Sequence, residues 1–430
     1  MRQPLVTTLT FSVLLSGSHL YSLALGEDFH WPGWLGPDRN GWVDQVQPPT
    51  RWPERLHRNW HLKVGTGYGS PLVVGGHVYQ HARQGNHEVL WCLDLETGNV
   101  KWRQQQSVPF QIRGGGERHG KGPKSCPLWA DGHIFTMSIT GVLSAWDASS
   151  GTLQWRRDYT SHFKTGHPYW GASTSPIADD NRIFVHFGTD DAGVLVALNT
   201  KTGEELWRHG KDGASYSSPL LVEIDGIRQV VQWNHRALVG VESTSGRALW
   251  EYPFPHVGSN QNMPTPAFYK DRILLSGENR GMVSLQPHKE NGTWKVQELW
   301  FQKKVALNMS SAIVHGDLLY GFSHYSSGRL FCLEIASGNI LWQGPGRTGD
   351  NATFLAIPNH IVALLDNGML EVIAADRSRL QKVASYRVAE SSTWAPPVLL
   401  PGGLLVKDGE SLTRWSLPQP AIQATSAPAR

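Results

Sequence analysis

Leu195-Val196-Ala197-Leu198-Asn199-Thr200-Lys201-Thr202-Gly203-Glu204-Glu205-Leu206-Trp207 decides the fold of this chain. A β-favouring apolar run passes into a polar turn, then a glycine, then a short run that ends in tryptophan. That order predicts strand, tight turn, strand. Gly203 suits the positive φ such a turn demands. The stretch recurs as LDLETGNVKW from Leu93 to Trp102, AWDASSGTLQW from Ala145 to Trp155, VESTSGRALW from Val241 to Trp250 and LEIASGNILW from Leu333 to Trp342. In every copy the turn glycine stands four residues before the tryptophan.

Trp102, Trp155, Trp207, Trp250, Trp300 and Trp342 are 42 to 53 residues apart. A unit of that length holds four short strands joined by hairpins, which is one blade of a propeller. A lone blade leaves both faces bare, so blades must pack in a ring. The recurrent indole, a large apolar plate with one N–H, suits a wedge between neighbouring blades.

The pattern A-x-D-x-x-(T/S)-G-x-x-x-W resembles the repeat of the pyrroloquinoline-quinone-like (PQQ-like) β-propeller family. Ala145, Asp147, Gly151 and Trp155 match it, as do Ala197, Gly203 and Trp207, with Asn199 in place of Asp. The resemblance covers nearly the whole chain. It implies an all-β propeller and leaves the activity open, because the family holds quinone-dependent dehydrogenases and also scaffolds without cofactor, such as the propeller subunit of the outer-membrane β-barrel assembly machinery.

Blade one opens at Ser70-Pro71 and closes at Trp102. Ser175-Pro176, Ser218-Pro219 and Thr265-Pro266 repeat that opening, and proline suits the first residue of a strand. Blades two to six end at the later tryptophans, with a longer turn, Pro287 to Thr293, in the fifth. Blade seven, about residues 353–388, carries Tyr386 in place of tryptophan. Residues 395–417 supply only three strands, and an orphan strand around Trp60 fits the vacancy. The expected architecture is therefore eight four-stranded antiparallel blades, the last closed by an N-terminal strand, which removes exposed sheet edges. Trp31 to Trp42, rich in Gly and Pro, is expected to cover one end of the ring.

Residues 1–26 have the pattern of a cleaved secretory leader: Arg2, an apolar run diluted by Ser and Thr, and small residues at Ala24 and Gly26. Glu27 stands where a lipoprotein would carry its acylated cysteine, so no lipid anchor is expected. The expected domains are the leader, a propeller over 27–418 and a disordered tail over 419–430, in a periplasmic or secreted protein without a transmembrane segment. The net charge of +3 and the absence of a basic, aromatic-interleaved run give no support for a nucleic-acid partner. Cys92, Cys126 and Cys332 form no C-x-x-C and read as buried thiols.

Antiparallel blades put the inter-blade loops and the turns between strands two and three on one face. The uniform Gly turns lie on the other. The inter-blade loops vary in length and are rich in His, and function favours variable loops on a rigid frame. Residues just ahead of each innermost strand should lie nearest the axis. From these and the long loops the candidate ligand-binding set is Lys124, His167, Trp170, Tyr216, His256, Asn262, Asn308, Asn351 and Trp394. No catalytic or metal-binding residue is assigned. The leading expectation is a monomeric, non-catalytic binding or scaffold module that takes a protein, a peptide or a small polar ligand on this face, with no cofactor. The alternative is a quinone- or metal-dependent oxidoreductase with its site in the central funnel, using PQQ and calcium. The resemblance implies that such enzymes carry adjacent cysteines, a calcium held by acidic and amide side chains and an Asp base. This chain has no adjacent cysteines, and no Asp matches the base by motif.

Overall fold

A computed structural model gives the structure of the protein and describes residues 29–112, 119–164, 166–258 and 261–417. The leader expected over 1–26, the tail expected over 419–430 and parts of two inter-blade loops, 113–118 and 259–260, lie outside the described residues.

Eight antiparallel sheets follow one another around a ring; seven are built on four consecutive strands, and the last joins three consecutive strands to one from near the N-terminus. In blade three these are Ile177–Asp179, Arg182–Gly188, Gly193–Asn199 and Glu205–His209, in order from the axis outward. The second and third strands of each blade are the most apolar and are buried on both faces, so the core is a series of clusters between blades. The last blade is Val398–Leu400, Gly403–Lys407 and Ser411–Ser416, completed on its outer edge by His57–Lys63. The ring thus closes with the N-terminal strand, as its orphan pattern implies.

A register shift recurs beside the same point of the outer strand in all eight blades. Such a bulge re-aims the next side chain, here the tryptophan. The Trp155 indole donates to the Thr200 carbonyl of the next blade at 2.9 Å, and Trp102, Trp207, Trp300, Trp342 and Trp60 make the equivalent bond at 2.8–3.3 Å. The turn glycine has a second role at these contacts. A Cβ on Gly203, at φ 66°, would sit 2.6 Å from the Trp155 ring. The glycine therefore permits the turn and also leaves the indole room.

Two seams depart from the repeat. Trp250 donates to Gln229 Oε1 of its own blade. The blade that follows has no Gly turn there, because Met282–Glu290 and Thr293–Gln302 run on as a long hairpin and turn only at Asn291-Gly292. The expected long turn over Pro287–Thr293 is corrected accordingly: Pro287 to Glu290 and Thr293 pair as strand residues, and only Asn291 and Gly292 form the turn. In blade seven, Ala384 and not Tyr386 holds the register position of the tryptophan, and Tyr386 lies two residues further along. Its hydroxyl donates to the Pro53 carbonyl at 2.8 Å.

The stretch from Trp31 to Trp42 does not lie over an end of the ring; it enters the axial channel. His30–Trp31 adds a fifth strand inside blade one, the Pro32 carbonyl accepts from Trp129 N of blade two, and Gly41 and Val43 bond Ala356 of blade seven. Arg39 reaches across to the carbonyls of Pro176, Ser175 and Pro219 at 2.6–3.4 Å. Eight blades leave an axial space that unpaired inner strands cannot fill, and an apolar segment with one long donor-rich side chain fills it.

Candidate functional site

With the channel filled from one side, a cavity of about 480 Å³ remains on the side of the inter-blade loops. Trp34 of the threaded segment forms part of its base. Tyr68, Lys124, Trp170, Tyr216, Asn308 and Trp394, each just ahead of an innermost strand, reach into it from six different blades. Position in the repeat fixes distance from the axis, so these side chains converge although they are far apart in sequence.

Five of the nine candidate residues meet here. Lys124 Nζ donates to the Trp170 carbonyl at 2.7 Å, and among the described residues no carboxylate pairs with it. Burial alone pushes its ammonium down to about 8 from the ordinary 10.5. The Tyr216 hydroxyl donates to Asp190 Oδ1 at 3.2 Å and accepts from Trp170 N at 3.1 Å. Burial, and then the Asp190 charge, push that phenol well up, so it stays protonated. Asp190 also accepts from Tyr169 N at 2.8 Å, which ties the long loop of blade two to the turn of blade three. Asn308 also lines the cavity, and among the described residues its buried Oδ1 has no hydrogen-bond partner. Trp394 forms one wall, with its ring 5.0 Å from His119 and 6.1 Å from Tyr68.

The other four candidates lie elsewhere. Asn262 is buried, and its amide donates to the Asn234 and His235 carbonyls at 2.8 and 3.0 Å. Asn351 is buried and accepts from the Ser310 hydroxyl at 2.7 Å. Both tie strand ends, because a short amide beside a chain reversal finds backbone or hydroxyl partners first. His167 packs 4.9 Å from Phe110 and borders a separate cleft with Arg156 and Asp158. His256 packs against His235 on the loop face, ring centroids 3.9 Å apart and tilted by 59°. Among the described residues, no group of three or more His, Cys, Asp or Glu is placed to hold a metal.

Sequence reasoning missed two parts of the site. Trp34 belongs to no repeat, so nothing places it at the axis. The other part is the base itself. Cys126 N donates to Ser175 Oγ, Ser175 N to Ser218 Oγ, Ser218 N to Thr265 Oγ1 and Thr265 N to Ser311 Oγ, all at 2.9–3.0 Å, while Ser70 N donates to Cys126 Sγ at 3.0 Å. Each residue ahead of the strand-opening proline, or its equivalent, thus accepts from the blade before it. The Ser/Thr-Pro repeats carry that signal, and Cys126-Pro127 sits in the same slot. Burial and the apolar surroundings push the Cys126 thiol up to about 11, so it is an inert member of the belt.

A family model described as outer membrane protein assembly factor BamB matches residues 110–344. The chain is 27% identical over 224 residues to the outer membrane protein assembly factor BamB of Shewanella oneidensis, which covers 49% of this chain and 54% of that protein. The alignment thus spans about half of that relative. Among solved structures, BamB from Moraxella catarrhalis superposes with a TM-score of 0.60 at 12% identity, covering 85% of this chain and 98% of that one. The quinohemoprotein alcohol dehydrogenase from Comamonas testosteroni superposes with a TM-score of 0.67 at 14% identity, covering 92% and 82%. At such identities the structural likeness speaks for the fold alone.

Proposed function

The chain belongs to the outer membrane protein assembly factor BamB family, and on that premise we propose that it is a non-catalytic, exported propeller that holds a protein partner on its inter-blade loop face. The observation that carries this reading is the asymmetry of the two faces. One presents short, uniform turns whose glycines lie under indoles. The other presents long, unequal loops around an open cavity, with exposed Tyr169 and Val257 (39% and 57% exposed). Large exposed apolar side chains on irregular loops suit a protein interface.

The cavity suits quinone chemistry poorly. Cys92, Cys126 and Cys332 are free, buried and in different blades. Among the described residues Glu278 is the one carboxylate that lines the space, and Trp34 occupies its base. Calcium prefers six to eight oxygen ligands with several carboxylates, which this lining does not offer. We therefore read the protein as working without PQQ or calcium, as a monomer at the periplasmic side of the outer membrane, with no nucleic-acid partner. No helix among the described residues is long and apolar enough to cross a membrane.

A photo-crosslinking residue at position 169 or 257, tested in cells that carry an outer-membrane assembly machinery, should capture a component of that machinery. The same residue at Lys201, on the uniform face, should not. Capture from Lys201 alone, or from none of the three, would remove the assignment of the face. Reconstitution with PQQ and Ca²⁺ should give neither a bound quinone absorbance nor dye-linked alcohol oxidation; either signal would restore the oxidoreductase.

A further inference from the structure

The hydroxyls at the base of the cavity are half used. Ser175, Ser218, Thr265 and Ser311 each accept a backbone N–H on oxygen. Among the described residues Ser218, Thr265 and Ser311 donate their hydrogens to no protein acceptor, while the Ser175 hydroxyl has the Cys126 thiol beside it, and all four line the cavity. A hydroxyl carries one donor beside its acceptor lone pairs, so the base presents several O–H donors without acceptors. Beside them stands Lys124. Among the described residues its ammonium has the Trp170 carbonyl as its one partner. The Glu278 carboxylate, which also lines the space, lies in the field of Arg280. Among the described residues the lining therefore has an excess of donors and one positive charge without a paired carboxylate, enclosed by Trp34, Tyr68, Trp170 and Trp394.

We propose that this cavity receives a carboxylate side chain carried next to an aromatic residue on a segment of a protein partner, with Lys124 as its counter-ion and the base hydroxyls as its donors. The proposal rests on the protein-binding reading above. A carboxylate fits better than a phosphate. A single ammonium is a point charge that one monoanion satisfies, whereas phosphate recognition draws on arginine forks or clustered donors, and Glu278 would repel a dianion. The aromatic neighbour follows from the indole and phenol walls, against which a ring packs with favourable offset or edge geometry. The entering carboxylate would also relieve a cost already present, since a part-buried ammonium held by one carbonyl is poorly compensated for its lost water.

Calorimetric titration of the purified full chain tests this with two capped peptides that differ in one group, acetyl-Gly-Glu-Trp-Gly-amide and its Gln twin. The Glu peptide should bind about ten- to a hundredfold more tightly, the usual worth of a hydrogen-bonded charged group. Lys124→Met should abolish that difference. The preference for Glu should also fade as pH rises through about 8, where the free amine loses its proton; a variant or condition that only disturbed packing would not follow that titration. Equal binding of the twins by the unaltered protein, or no binding of either at millimolar concentration, overturns the proposal even if the Lys124 variant misfolds. Indole-3-acetate binding as tightly as the Glu peptide would assign the cavity to free small acids and overturn the partner. Failure of any of these leaves capture from positions 169 and 257 untouched, so the two readings fall separately.

Discussion

The rim and the axis of this ring are stitched by different chemistry. At the rim, indoles cross to the next blade, lie on a glycine and give their one N–H to a carbonyl. At the axis, backbone N–H groups cross to the hydroxyls of the next blade. The rim contact consumes all the polar capacity of the side chain that makes it. The axial contact leaves a donor over. A seam that satisfies itself serves stability, while one that keeps spare capacity is available to a ligand.

The largest effect should come from removing a rim wedge. Trp155→Ala deletes a buried indole and its bond to Thr200 and should cost about 3–5 kcal/mol, read as a lower denaturant midpoint. A loss below about 1 kcal/mol would show that the rim does not carry stability. Gly203→Val attacks the same contact from the other side, through an unfavourable φ and a clash with the ring, and should cost about 2–3 kcal/mol. The seam after Trp250 sharpens the comparison, because that indole stays in its own blade. Hydrogen exchange should find the outer strands around Trp250 opening before those around Trp155, and the reverse order would mean that indole crossing is incidental.

Lys124→Met tests the axis in the opposite direction, with a stabilisation of about 1 kcal/mol at pH 7. The unfolded chain keeps this amine protonated up to its ordinary 10.5, and the folded chain releases the proton at about 8. Between those values the unfolded state binds more protons, so the stability contributed by this site rises with pH. The penalty is fully present below about pH 8, and the advantage of the variant should shrink across pH 8 to 10.5. Lys407, buried and likewise pushed down to about 8, keeps the same sign in both proteins and cancels in the difference. The smallest effect belongs to Glu96→Gln. Arg414 grips Glu96 through two bonds of 2.6 and 2.9 Å across the closing seam, but the carboxylate is 56% exposed. Water screens that pair, and its loss should shift the midpoint by no more than about 1 kcal/mol.

The rim is the part most legible in the sequence. Its glycine and tryptophan repeat at constant spacing because each blade solves the same packing problem. The radial rule also placed Lys124, Trp170, Tyr216, Asn308 and Trp394 together, since the residue before an innermost strand can only lie near the axis. Four candidates escaped the rule for local reasons. Asn262 and Asn351 turned to backbone and hydroxyl partners, while His167 and His256 stand on loops long enough to leave the axis. Trp34 and Arg39 were illegible as axial residues because their positions depend on contacts with several distant blades and on no local pattern. Tyr386 misled by resemblance alone: an aromatic near the expected place hid Ala384 at the true register.

The clasp that completes the last blade has a consequence for biosynthesis. His61 bonds Thr413 across 352 positions of sequence, so a strand that leaves the ribosome early waits for its partner until nearly the whole described chain has emerged. The stretch ahead of it, with Arg39 at its centre, must be enclosed by blades that are synthesised later. Nascent intermediates therefore carry an unpaired edge, the kind of surface on which chaperones act. Long-range closure of this sort is slow to form, which makes ring completion the natural checkpoint in the maturation of the protein.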